Sequence, residues 1–219
     1  MWHTLLRDAL DCISSPRCPR CGGDGPARGS GFCAACLEAL ALPEGGVQGD
    51  TPLLWCAVAP YRGALRSLLL HQRPLPQPAV ITALAALLHR CSATVLPGAL
   101  LLPIPSWKRN GNPLPLLLAQ ALQQAAGPTA TLAPQLLQRT RPTVGQHHLG
   151  RALRLCNLRQ AFAAPPPQGP GLAWHRRRRP LWLVDDILTT GSTALAAAEA
   201  LQGAGWAVQG VLAIARTPL

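Results

Sequence analysis

The sequence is short of aromatic residues, which make up 4% of its 219 positions, and short of acids, with 9 Asp and Glu against 20 Lys and Arg. Few aromatics argue against an aromatic-rich β-sandwich. A hydrophobic content of 48%, supplied mainly by Leu and Ala, suits helices packed on a sheet and excludes wholesale disorder. No apolar run approaches the roughly 18 residues of a spanning helix, and the nearest, residues 79–88, is too short. The opening Met-Trp-His-Thr-Leu-Leu-Arg-Asp holds acid and base where a signal peptide would hold a continuous apolar core. No Gly-x-x-x-x-Gly-Lys phosphate loop is present, and no internal repeat. The 8 cysteines do not form a secreted disulfide framework: four lie in two Cys-x-x-Cys pairs, while Cys12, Cys56, Cys91 and Cys156 are scattered. These absences lead us to expect a cytoplasmic, reducing compartment and no transmembrane segment.

The deficit of acid leaves a formal charge of +11. Such a balance concerns partners rather than fold, and it favours phosphates, nucleic acid or anionic lipid. The run Arg176 to Arg179 supplies part of it, and reads equally well as a solvated basic loop.

Along the chain, residues 1–14 carry apolar positions at helical spacing (Trp2, Leu5, Leu6, Ala9, Leu10, Ile13), until Ser14-Ser15-Pro16 breaks the pattern. Residues 43–52 are rich in Pro and Gly and predict a linker. The expected division is an N-terminal module over 1–46 and a larger domain over 53–219. In the larger part, strands are predicted at 53–61, 99–104, 132–137, 180–184 and 208–215. Helices are predicted at 63–70, 80–91, 114–125 and 192–202. Alternation of this kind points to an α/β fold with a mostly parallel sheet flanked by helices. Residues 163–180, rich in Pro and Gly, read as an insertion.

Two segments carry chemistry. Cys18-Pro-Arg-Cys21 and Cys33-Ala-Ala-Cys36 form a C-x2-C-x11-C-x2-C array. Each pair can present two thiolates on one tight turn, and two such turns close a tetrahedral site of the structural-zinc type, with no open position for substrate. So short a segment has little core of its own, so metal ligation must supply much of its folding energy. The second segment is Leu181-Trp182-Leu183-Val184-Asp185-Asp186-Ile187-Leu188-Thr189-Thr190-Gly191-Ser192-Thr193. A hydrophobic strand is expected to stop at paired carboxylates, and a loop of small residues then opens a helix. Loop amides and hydroxyls at a helix N-terminus can wrap a phosphate, and Gly191 lets backbone approach closely. Adjacent acids suit the vicinal hydroxyls of a ribose or a hard cation.

This second segment resembles the phosphoribosyl-pyrophosphate (PRPP) motif of type I phosphoribosyltransferases. The chain as a whole resembles the ComF family, competence-associated proteins in which a zinc ribbon is fused to a phosphoribosyltransferase domain. The resemblance is carried by the cysteine array, Tyr61-Arg62-Gly63-Ala64-Leu65-Arg66, Pro103-Ile104-Pro105-Ser106-Trp107-Lys108-Arg109, Arg139-Thr140-Arg141-Pro142-Thr143 with Gln146, and Arg151, Asn157 and Phe162 beyond it. It implies that Asp185 and Asp186 meet the ribose hydroxyls and that Thr189, Thr190, Gly191, Ser192 and Thr193 hold the 5′-phosphate. It further implies that Lys108 and Arg109 face pyrophosphate, that Arg139 and Arg141 belong to a closing lid, and that Mg²⁺ accompanies PRPP. The chain departs from the family pattern at two places. Asn110-Gly111-Asn112-Pro113 stands where Arg-Gly-Phe-Asn is usual, and His71-Gln72-Arg73-Pro74 stands where a lysine block is usual. Adjacent His147 and His148 point apart on any regular element, so a shared metal is not expected there.

Two functions follow from the resemblance. One is a PRPP-binding protein of competence and DNA uptake, with single-stranded DNA and the uptake machinery as partners. The other is a glycosyltransferase that moves ribose 5-phosphate from PRPP to a nucleobase-like acceptor and releases pyrophosphate. The oligomeric state and the acceptor are not readable from the sequence.

Overall fold

A computed structural model describes residues 17–23, 25, 30–106, 111–140, 161–166 and 179–218. The expected helix of residues 1–14 and most of the insertion at 163–180 lie outside them.

Strands β1 (Val47–Gly49), β2 (Trp55–Pro60), β3 (Leu100–Pro103), β4 (Thr131–Leu132), β7 (Leu181–Leu188) and β8 (Val208–Arg216) form a six-stranded sheet. Its order is β1-β2-β8-β7-β3-β4, parallel except for β1, which pairs antiparallel with β2 on one edge. A separate antiparallel pair joins β5 (Gln138–Arg139) to β6 (Phe162–Ala163). Both faces of the main sheet are covered. On one side lie helices α1 (Ala34–Leu40), α2 (Gly63–Gln72), α3 (Pro78–Ser92) and α4 (Leu114–Ala126), and their apolar residues form one core with Trp182, Val184 and Leu212. On the other side α5 (Ser192–Gly203) and the β5–β6 pair close a second core around Leu181, Leu183 and Val211. A central parallel strand covered on both faces must be apolar on both, which is why residues 181–184 form an unbroken hydrophobic run.

Four local expectations need correcting. The strand predicted to stop at the acids continues through them, because Asp185 pairs with Ala213 and Ile187 with Ala215 in the parallel ladder. Ladder pairing uses backbone alone, and the acid side chains find partners elsewhere. The strand predicted over 132–137 ends at Leu132, and Pro134–Leu136 is a 3-10 turn; proline has no N–H to donate onward. The turn-rich stretch 43–52 contains β1. Arg179, read with a basic loop, instead donates to the carbonyls of Gly98 and Ala99 (2.8 and 3.1 Å) and to the Thr131 hydroxyl (2.9 Å), tying β3 to β4. Arg176 to Arg178 lie outside the described residues.

The cysteine segment packs against α3. Gly31 has φ +74, and a Cβ there would sit 2.5 Å from the Ala83 Cβ of α3, so only glycine permits this approach. Among the described residues no helix is long and apolar enough to cross a membrane.

Connections leave the sheet in opposite senses at its centre. From β3 the chain passes through α4 to β4 at one edge, and from β7 through α5 to β8 on the other side. The crevice between the carboxyl ends of β3 and β7 is therefore a topological switch point, where open α/β sheets bind ligands.

Candidate ligand and metal sites

Asp185 and Asp186 stand at this switch point. Successive strand residues face opposite sides of a sheet, so the two acids enter different surroundings. Asp186 shares the face of Trp182 and Val184 and is 1% exposed. Its carboxylate accepts from Arg73 Nε at 2.7 Å, Arg73 Nη2 at 3.2 Å, Asn112 Nδ2 at 3.0 Å and the Ile187 N–H at 2.9 Å. Arg73 directly follows α2 and Asn112 lies just before α4, so both positions of departure from the family pattern meet at one carboxylate. Asn112 also accepts the Leu114 N–H at the start of α4 (3.2 Å).

Asp185 lies on the side of α5 and the β5–β6 pair and is partly exposed. One of its oxygens accepts the Asp186 N–H at 2.8 Å. Burial of its charge, and then the Asp186 carboxylate beside it, push its pKa well above the usual carboxylate range. Arg139 stands over this side. Its guanidinium carbon is 4.9 Å from the Phe162 ring centre and its Nη1 is 3.4 Å from the Pro105 carbonyl. Burial pulls the Arg139 pKa down, and Asp185 pushes it back up. The structure thus brings together Asp185, Asp186 and Arg139 with the Pro103–Ser106 end of β3. Lys108, Arg109 and Arg141 lie outside the described residues, as do His147 and His148.

Beyond the acids, Thr189 is exposed and Gly191 begins α5 with φ 77 and no side-chain cap. The first-turn N–H groups of a helix have no backbone partner within it and favour an anion, and here the Ser192 N–H meets the Thr190 hydroxyl oxygen at 3.4 Å. The Thr190 and Ser192 hydroxyls lie 2.8 Å apart and brace the turn. A Cβ at residue 191 would come 2.7 Å from both Cδ and Cγ of Pro52, so the loop is packed beneath the segment preceding β2. The Leu188 carbonyl is held by the Thr217 N–H (2.9 Å) and by Arg216 Nη1 (3.1 Å), which pins the strand end from which the loop departs.

The second candidate site is the cysteine array. The sulfurs of Cys18, Cys21, Cys33 and Cys36 all lie within 4.8 Å of one another, and those of Cys21 and Cys33 are 3.7 Å apart. Backbone N–H groups of Gly23 and Cys33 approach the Cys21 and Cys18 sulfurs at 3.4 and 3.5 Å. Burial raises the Cys18 pKa, but amide donors led by Cys33 outweigh it and bring the thiol down to about 6. Burial and the three neighbouring cysteines push Cys36 up to about 12. Four sulfurs this close repel as thiolates unless a cation lies among them, and the set can hold a metal ion.

Relatives place the chain. It is 31% identical to DNA utilization protein YhgH of Salmonella typhi, matching 85% of this chain and 91% of that protein. It is 32% identical to DNA utilization protein YhgH of Escherichia coli O157:H7, matching 91% of this chain and 84% of that one. The chain belongs to the YhgH family. This membership supports the ComF-like resemblance. No family model matches the chain. Among solved structures, the orotate phosphoribosyltransferase of Mycobacterium tuberculosis in complex with Fe(III) dicitrate is 17% identical, with a TM-score of 0.36 over 65% of this chain and 63% of that chain. A phosphoribosyltransferase from Corynebacterium diphtheriae is 19% identical, also with a TM-score of 0.36, over 67% of this chain and 77% of that one. Likeness at that level is partial.

Within the family's frame, sequence reasoning passed over three features of the site. Asn112 and Arg73 were visible only as departures from a pattern, and the signal that could have paired them with Asp186 is chemical complementarity: an amide and a guanidinium at departures, an acid without a partner. The cover of Pro52 on Gly191 had no signal beyond the proline itself.

Proposed function

We propose that this protein binds PRPP with Mg²⁺ at the carboxyl end of β7 and serves DNA uptake in the cytoplasm, as a ComF-like member of its family. The observation that carries this reading is the acid pair followed by a glycine-started helix at the switch point of a largely parallel sheet. In this reading the acids take the ribose hydroxyls, residues Thr189 to Thr193 take the 5′-phosphate, and Lys108, Arg109, Arg139 and Arg141 supply charge for pyrophosphate. Bound Mg²⁺ would neutralise pyrophosphate charge. The name of the relatives supports the link to DNA, and the charge of +11 suits a strand backbone.

The cysteine site takes structural zinc. Tetrahedral Zn–S bonds of about 2.3 Å set sulfurs roughly 3.8 Å apart, and the Cys21–Cys33 separation is 3.7 Å. All four ligand positions are filled by protein, so this metal would organise residues 1–46 rather than take part in a reaction.

A second reading, transfer of ribose 5-phosphate from PRPP to a nucleobase-like acceptor with release of pyrophosphate, is favoured by the partly exposed Asp185, whose charge acts on Arg139. The test is isothermal titration of zinc-loaded protein with PRPP and Mg²⁺, with and without single-stranded DNA. Saturable PRPP binding that disappears when Asp185 and Asp186 are both replaced by alanine supports the pocket, and opens a screen for acceptor bases. Salt-sensitive DNA binding with no PRPP binding would leave the fold as a nucleic-acid scaffold.

A further inference from the structure

We propose that the two adjacent acids have separate tasks: Asp186 is a positioning residue clamped by Arg73 and Asn112, and Asp185 alone of the pair presents a carboxylate to the ribose hydroxyls. The proposal rests on the phosphoribosyl reading above and refines it.

A carboxylate offers about four lone-pair directions, and Asp186 already receives donors from Arg73 Nε, Arg73 Nη2, Asn112 Nδ2 and the Ile187 N–H. Its side chain is 2% exposed. A ribose hydroxyl could reach it only by expelling a guanidinium or an amide from a buried carboxylate. What Asp186 does instead is join three segments. The buried Gln72 accepts the Gln77 N–H at 2.7 Å and fixes the turn that carries Arg73 from α2 toward α3. Asn112 holds Asp186 with its amide nitrogen and the start of α4 with its oxygen. Through these bonds the end of β7 is locked against the segment that returns from β3, so both rims of the crevice are held by one carboxylate.

Asp185 has the opposite character. It is partly exposed, one of its oxygens accepts its neighbour's N–H, and the Asp186 carboxylate lies beside it. It retains acceptor capacity, and it stands at the mouth of the loop that ends at Gly191. The two places where the sequence departs from the family pattern are thus one feature: a guanidinium and an amide that together saturate the second acid.

The test measures PRPP affinity with Mg²⁺ and thermal unfolding for Asp185→Asn, Asp186→Asn, Arg73→Ala, Arg73→Lys, and the doubles that join Arg73→Ala to each acid variant. Asp185→Asn is expected to weaken PRPP by about tenfold or more without lowering thermal stability. Asp186→Asn and Arg73→Ala are expected to lower stability, and their double to bind PRPP within about twofold of the Arg73→Ala single, because both break the same clamp. Arg73→Lys is expected to recover part of the affinity lost in Arg73→Ala. Asp185→Asn with Arg73→Ala should bind PRPP clearly more weakly than the Arg73→Ala single, unlike the Asp186→Asn double. Should Asp186→Asn fail to fold, Asn112→Ala removes one donor of four and takes its place in the same cycle. Equal, independent losses of PRPP from the two acid variants, with Asp186→Asn multiplying the Arg73→Ala loss, would overturn the division of tasks while leaving the PRPP pocket standing. A wild-type protein that does not bind PRPP would overturn the functional reading, and the role given to Asp185 with it.

Discussion

The two candidate sites of this chain are built in opposite ways. The cysteine site draws every ligand from residues 18–36, and its spacing alone announces tetrahedral closure. The acid site is assembled from Arg73, Asn112, Arg139 and Asp185–Asp186, and the bonds to Asp186 cross 113 and 74 residues of sequence. A local motif keeps its geometry in any fold that leaves its turns intact. A distributed site exists only once the sheet order has brought β7 beside β3.

The contrast can be broken at several points. The largest effect is expected at the local site. Cys18→Ser, or chelation, should remove about one zinc per chain by elemental analysis and lower the unfolding temperature by more than about 10 °C. Cys18 and Cys36 belong to the same buried core as Leu65, Leu84 and Leu88, so the loss should spread beyond the module. A folded, metal-free wild type of unchanged stability would show that the array is not a metal site.

Next in size is the clamp. Arg73→Ala leaves a buried carboxylate short of two donors, and should cost about 3 kcal/mol in denaturant unfolding, the lower end for a broken buried pair because the guanidinium side is 36% exposed. A loss below the error of the measurement would mean that Asp186 is satisfied without it. Gly191→Ala comes after, at about 1–3 kcal/mol from the positive φ alone, with the Pro52 contact adding to it. It should also abolish phosphate binding by shifting the start of α5, which titration with inorganic phosphate or PRPP would read.

The smallest effect is electrostatic and concerns Asp185. Its pKa is raised in the folded state by burial and by Asp186, so the folded protein holds this proton more tightly than the unfolded chain does. With more protons bound in the native state, stability falls as pH rises from the ordinary carboxylate range through the raised value. Asp185→Asn should flatten that slope and raise the unfolding temperature of the ligand-free protein at neutral pH, which thermal melts across pH would show. A site that trades stability for a binding carboxylate behaves in this way.

Much of the fold was legible because its elements are apolar runs of the right period. The spans of α2, α3, α4, α5, β2, β3 and β8 lie within a few residues of those predicted from the sequence. The end of β7 was misplaced, since two adjacent acids look like a stop when their partners are not in view. The stretch 132–137 looked like a strand by composition, but Pro134 ends it. Of the acid site, the residues on the β7–α5 segment were visible as a motif. The clamp was not, because Arg73 and Asn112 carry no local signal that points to residue 186.

By itself, the sequence determined that four cysteines can meet, that a hydrophobic strand delivers two acids to a small-residue loop, and that strands and helices alternate; each depends on neighbours within a turn or two. Only the tertiary structure decided which acid is clamped and which is open. Adjacent residues on a strand must face opposite sides, so Asp185 and Asp186 were bound to differ. Which side carries α2 and α4, and which carries α5 and the β5–β6 pair, is a property of how the chain winds about its sheet.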